Sequence, residues 1–117
     1  MTLEPQFSVI VPTAFRVGAR NIAGRARALL NSGIFGRSEL IVSHGCRPDR
    51  RDDHFCRRLE ECGARVVRTA IDSDSVPLGL LRNRGAELAS RPFLLFLDVD
   101  LALPADFFER VTTLMAR

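Results

Sequence analysis

Asp98 and Asp100 flank Val99 at the end of the apolar run Phe93-Leu94-Leu95-Phe96-Leu97, so in an extended segment both carboxylates point the same way. Two hard oxygen ligands at one point suit Mg2+ or Mn2+, ions that commonly take one or two carboxylates together with substrate phosphates. The competing reading is an acidic loop that serves solubility alone. Within Arg82-Asn83-Arg84-Gly85 an Arg could reach a diphosphate or a base, or lie on a solvated helix face. Thr13 follows a strand and Pro12, where its hydroxyl could bond a base or simply make the turn. His44 could serve as base or ligand, or hydrogen-bond its own loop. No Ser, His and acid arrangement stands out. Neither Gly-x-Gly-x-x-Gly nor a Walker loop is present, so classical dinucleotide binding and P-loop phosphate transfer find no support.

The elements that must position these residues are legible as alternating strands and helices. Phe7-Ser8-Val9-Ile10-Val11 reads as a buried strand stopped by Pro12-Thr13, and Glu39-Leu40-Ile41-Val42 as a second, ending at Ser43-His44-Gly45. Arg65-Val66-Val67-Arg68 is a short third strand, and Phe93 to Leu97 a fourth, read as buried. Helices are expected from about Gly18 to Leu30, His54 to Cys62 with Gly63 as the stop, Leu78 to Ser90, and Asp106 to Ala116. Gly85 in a helix interior costs up to about 1 kcal/mol relative to Ala, which close packing against the sheet or a ligand would explain. Gly79 belongs near the helix start. Apolar strands without in-out alternation mark a parallel sheet covered on both faces, so the expected fold class is α/β, a three-layer α/β/α sandwich with right-handed crossovers. Ligands of such sheets bind beyond the carboxyl ends of the strands, which here carry Thr13, His44, Thr69, Asp98 and Asp100.

Composition narrows the partners. A chain of 117 residues suits one domain spanning 1–117. No apolar run approaches the roughly 18 residues of a membrane span, and no signal-peptide pattern opens the chain, which places the expectation in the cytoplasm, with membrane association only through a partner. All 17 cations are Arg, consistent with coding bias and also with planar contacts to phosphate. A net charge of +3 without an aromatic-interleaved basic stripe gives no case for nucleic acid. Cys46, Cys56 and Cys62 lack Cys-x-x-Cys spacing and read as reduced thiols, although His44 and His54 lie nearby in sequence.

Taken in order, Ser8-Val9-Ile10-Val11-Pro12-Thr13, Glu39-Leu40-Ile41-Val42, Leu81-Arg82-Asn83-Arg84-Gly85-Ala86-Glu87-Leu88-Ala89, Phe93-Leu94-Leu95-Phe96-Leu97-Asp98-Val99-Asp100 and Leu103-Pro104 resemble the family 2 glycosyltransferases. The resemblance implies the GT-A nucleotide-diphospho-sugar transferase fold, with a mainly parallel Rossmann-like sheet, and a likeness from about residue 7 to residue 112. It implies that Asp98 and Asp100 form the family's Asp-x-Asp motif. Asp100 would be the main ligand of Mn2+ or Mg2+ on the donor diphosphate, and Asp98 a contact to the donor's ribose or the metal. Thr13 would sit against the base and Arg82 near the base or phosphates. The acceptor would be a glycan or a lipid-linked group.

Two departures stand out. The family's Val-Asp-Asp-Gly-Ser is Val42-Ser43-His44-Gly45-Cys46 here, so both acids are replaced, and His44 or Ser43 would have to serve the base by another hydrogen bond. Family domains also run to roughly twice this length, which implies the donor-binding half without the acceptor site or an evident general base. The rival reading is a non-catalytic module that binds a nucleotide-sugar or a protein. A nucleotidyltransferase would want a Gly-rich basic phosphate loop after the first strand, which Pro12-Thr13-Ala14-Phe15-Arg16 does not supply. A truncated sheet implies exposed apolar surface and hence a homo-oligomer or a covering partner.

Overall fold

The computed structural model describes residues 7–14, 39–50, 52–98, 110 and 113–114. Its elements in chain order are β1 (Phe7–Ala14), β2 (Glu39–Cys46), α1 (Asp53–Glu61), β3 (Arg65–Ala70), α2 (Leu78–Leu88) and β4 (Phe93–Phe96). The helix expected near residues 18–30 lies outside the described residues. Of the expected final helix, Arg110, Thr113 and Leu114 are described and are helical.

All strand pairs are parallel, in the spatial order β3-β2-β1-β4. The chain steps outward from β1 through β2 to β3, then returns to place β4 on the other side of β1. The order therefore reverses at β1, and the carboxyl ends of β1 and β4 flank the switch point where such sheets take ligands. A helix covers each face. Phe7, Val9, Val11, Leu40, Val42 and Leu97 form one core with Leu59 and Ala64, on the α1 side. On the opposite face α2 lies so close that a Cβ on Gly85 would come 2.5 Å from Cγ2 of Ile10 and 3.5 Å from Cβ of Ser43. The α/β class, the parallel sheet and the close-packing reason for Gly85 are as the sequence leads one to expect.

Helix α1 ends as its glycine requires. Gly63 has φ 101°, a left-handed value that suits a residue without Cβ. Its N–H donates to the Glu60 carbonyl at 2.9 Å and the Ala64 N–H to the Leu59 carbonyl at 3.1 Å, the paired bonds of a Schellman stop.

Two boundaries differ from expectation. β1 and β2 do not stop at Pro12 and Ser43 but run on together, with Pro12 opposite Ser43, Thr13 opposite His44 and Ala14 opposite Gly45. Proline is tolerated because of its side of the strand. The Ile10 carbonyl accepts from the Leu97 N–H at 3.0 Å, so Ile10 faces β4, and Pro12, two residues on, faces the same way. β4 has already ended at Phe96, and the missing donor leaves no rung unfilled.

The second correction concerns β4. Its apolar run reads as buried, yet Phe93, Leu94 and Phe96 are 42–45% exposed. Within the described residues β4 pairs on one side only, with β1; Leu95 packs against the α1-side core half-buried, and Leu97 just beyond the strand is buried in it. The apolar pattern reports a strand suited to burial, not whether another element covers it.

At the opposite, amino edge of the sheet, Glu39 gathers four donors. Ser8 Oγ donates at 2.7 Å, the Ser90 N–H at 2.7 Å, Ser90 Oγ at 2.8 Å and Arg65 Nη1 at 3.2 Å. Burial alone would push the Glu39 carboxyl up, but the Ser90 backbone bond, then Ser8, the Ser90 hydroxyl and Arg65, bring it down to about 2.

Candidate functional site

The carboxyl edge holds two polar groups, one on each face of the sheet. Thr13 and His44 lie opposite one another at the ends of β1 and β2, on the α1 face. Thr13 Oγ1 and His44 Nδ1 are 2.7 Å apart, and His44 Nε2 lies 2.8 Å from Asp52 Oδ2. The imidazole also packs against Phe55 of α1, ring centroids 4.8 Å apart. Both Thr13 and His44 are 2% exposed. A buried imidazole engaged at both nitrogens is held in one orientation, because rotation would orphan polar atoms at about 1–3 kcal/mol each.

Asp52 occupies an unusual backbone state for this role. Among the described residues it is the one non-glycine with positive φ, at φ 55° and ψ 43°. It sits where a capping residue of α1 would sit, yet its carboxylate makes no cap bond to the helix. The two oxygens go instead to His44 and, at 3.4 Å, to Arg50 Nε. The turn that brings Asp52 back is closed by the Arg50 N–H donating to the Arg47 carbonyl at 3.1 Å.

The second group lies on the α2 side. Arg82, one helical turn into α2, donates from Nη2 to Asp98 Oδ1 at 3.2 Å. The side chains are 39% and 55% exposed, so the pair borders solvent at the switch between β1 and β4. Asp98 follows Leu97, which turns into the α1-side core, so alternation sends Asp98 toward α2 and Arg82. Among the described residues no hydrogen bond or ion pair joins this group to Thr13, His44 and Asp52.

Of the residues singled out from sequence, Thr13 and His44 are thus brought together, and so are Arg82 and Asp98. Asp100 lies outside the described residues. Among the described residues no cluster of three or more His, Cys, Asp or Glu forms, and Cys46, Cys56 and Cys62 form no disulfide. Arg84 pairs along its own helix with Glu87 at 3.6 Å, in keeping with a solvated face. Asp52 gives no signal of its part in the sequence, because an Asp before a helix reads as an ordinary cap.

By sequence the chain matches no protein-family model and no curated protein. By structure it is similar to the crystal structure of S. aureus "TarS 1-349", a glycosyltransferase, with a TM-score of 0.68 at 20% identity. The match covers 95% of this chain and 32% of that one, so the chain spans about a third of the length of the structure it resembles. The fold of this chain is glycosyltransferase-like.

Proposed function

We propose that the chain binds a nucleotide-diphospho-sugar at the carboxyl edge of its sheet and acts in sugar transfer to a glycan or lipid-linked acceptor. The observation that carries this reading is the Arg82–Asp98 pair, a cation and a carboxylate at the β1/β4 switch point of a glycosyltransferase-like sheet. Family 2 is the finer assignment that the motifs favour.

Asp98 suits a share in a divalent ion. It is more than half exposed, and among the described residues only Oδ1 is engaged, which leaves Oδ2 for a metal. Mg2+ and Mn2+ need no full protein cage when a diphosphate supplies oxygens. Asp100 with Asp98 would hold the ion, and the chemistry it supplies when bound is positive charge against the nucleoside diphosphate that leaves. Arg82 spends one donor on Asp98, and its other N–H groups have no partner among the described residues. A planar guanidinium there can take two phosphate oxygens and hold the diphosphate beside Asp98. Thr13 and His44, at the neighbouring strand ends, are the groups available to the base.

Calorimetric titration of UDP-sugars and GDP-sugars with and without Mn2+ tests the proposal. Binding should require the metal, and Asp100→Ala should weaken it at least tenfold. Metal-independent binding, or binding unchanged in Asp100→Ala, would overturn it. A second reading, a module that binds without catalysis, is favoured by one feature. Asp52 is engaged at both oxygens by His44 and Arg50, and Asp98, held at Oδ1 by Arg82, has its second oxygen assigned here to the metal, so neither is left to take a proton from an acceptor. Turnover with a panel of acceptors separates the two.

A further inference from the structure

The two edges of the sheet are built differently. β3, at one edge, carries Arg65 and Arg68 along its six residues, the kind of charge that keeps an open strand from pairing. β4, at the other, is Phe93-Leu94-Leu95-Phe96, with no charge, proline or glycine. The direction of its backbone groups follows from one bond. The Leu97 N–H donates to the Ile10 carbonyl, so Leu97, Leu95 and Phe93 face β1, and Leu94 and Phe96 turn their N–H and C=O groups outward. Leu95 packs on the α1 side, so Leu94 and Phe96 put their side chains on the α2 face, where they are 45% and 44% exposed. Outward hydrogen-bonding groups and exposed apolar side chains thus coincide on the same two residues. Among the described residues no strand pairs with this side of β4.

The ends of β4 decide how a second strand can lie on it. Arg91 precedes it and Asp98 follows it. A second β4 laid antiparallel brings the basic start of each strand beside the acidic end of the other, whereas a parallel one brings like charge to like. The registers that match outward residues to outward residues differ in what they oppose. Centred on Leu94, the pairing sets Pro92, which has no N–H, opposite Phe96; centred on Phe96, it sets Asp98 opposite Leu94. Centred on Leu95, it sets Leu94 of each copy against Phe96 of the other, so both outward residues are hydrogen-bonded and both apolar side chains are covered.

We infer that two copies of this chain join edge to edge through β4, antiparallel about a two-fold axis at Leu95, in one continuous sheet of order β3-β2-β1-β4-β4-β1-β2-β3. The contact closes at two copies, because it consumes the β4 edge of each and leaves the Arg-bearing β3 edges outside. The two candidate ligand edges then point in opposite directions, and each Asp98 lies beside the start of the other copy's β4.

Size exclusion with light scattering across a range of concentrations should find twice the 13.0 kDa of one chain and nothing larger. Leu94→Pro removes an N–H that points away from β1, so the ladder within the chain is kept while the contact between copies loses a donor and an apolar side chain. That variant should stay folded by circular dichroism, and its dimer dissociation constant should rise by about tenfold or more. Oxidative cross-linking in a Cys62→Ser background reads the register, since Cys46 and Cys56 are buried. Leu95→Cys meets itself across the axis and should link faster than Leu94→Cys or Phe96→Cys alone, and a mixture of the latter two should link faster than either. If Leu94→Pro unfolds, the cross-linking comparison decides. A monomer at every concentration, which would leave this face to a different occupant, overturns the inference. So does growth beyond the dimer, a dimer unchanged in folded Leu94→Pro, or self-linking led by Leu94→Cys or Phe96→Cys.

Discussion

Asp52 and Glu39 show how differently two carboxylates are used at the two ends of one sheet. Asp52 forgoes a helix cap worth about 1 kcal/mol and takes a backbone conformation that costs a non-glycine residue a similar amount. What it gains is His44 and Arg50. Sequence alone points to the cap, because a separation of eight residues between His44 and Asp52 says nothing about a turn that folds one back on the other. Glu39 is equally silent in the sequence, since a charge at a strand start resembles any solvated end. Its carboxyl is held at about 2 against an ordinary 4.5, so its ionised form favours the folded state. That contribution is complete above pH 4.5 and is lost as pH falls toward 2, with an upper bound of roughly 3 kcal/mol. Urea midpoints should therefore drop for the native chain between pH 5 and pH 2. Glu39→Gln should be the less stable protein at pH 6 and should converge with the native chain near pH 2. Parallel curves across that range would contradict the assignment.

At the scale of elements, much was legible. The order of strands and helices, the glycine stop of α1 and the tight seat of Gly85 follow from period, turn residues and an unexplained glycine in mid-helix. Strand ends were less so, because Thr13 and His44 look like turn residues until parallel pairing carries β1 and β2 past Pro12. β4 is more exposed than its apolar run suggests, since such a run records what a strand can bury and not what lies over it. Arg82 and Asp98 are sixteen residues apart, and their pairing needs α2 to be laid across the sheet first. The two glycines of α2 give a sharp contrast. A methyl at Gly85 would press on a buried β-branched side chain, so Gly85→Ala should destabilise by about 1–2 kcal/mol despite its better helix propensity. At Gly79 an added Cβ meets nothing within 4 Å, and Gly79→Ala should gain a few tenths to about 1 kcal/mol. Thermal unfolding of both variants reads the two signs, and a stabilised Gly85→Ala would refute the close approach.

For the molecule as a whole, the exposed Phe93, Leu94 and Phe96 lie on an edge strand that pairs only with β1 among the described residues. Apolar side chains beside unpaired backbone favour association. Light scattering after size exclusion should find assemblies of this chain at high concentration, and Phe96→Lys should return it toward the monomer; a monomer throughout would count against association through β4. No helix among the described residues is long and apolar enough to cross a membrane. The Glu39 clasp adds a property that only appears when time is considered. It joins positions 31, 26 and 51 residues apart along the chain, through Ser8, Arg65 and Ser90. Closing several long loops at once is entropically demanding, so such a junction forms after the sheet has assembled rather than guiding its assembly. The clasp is then a latch against opening: its strength sets how slowly the folded sheet comes apart and has little bearing on how fast it forms.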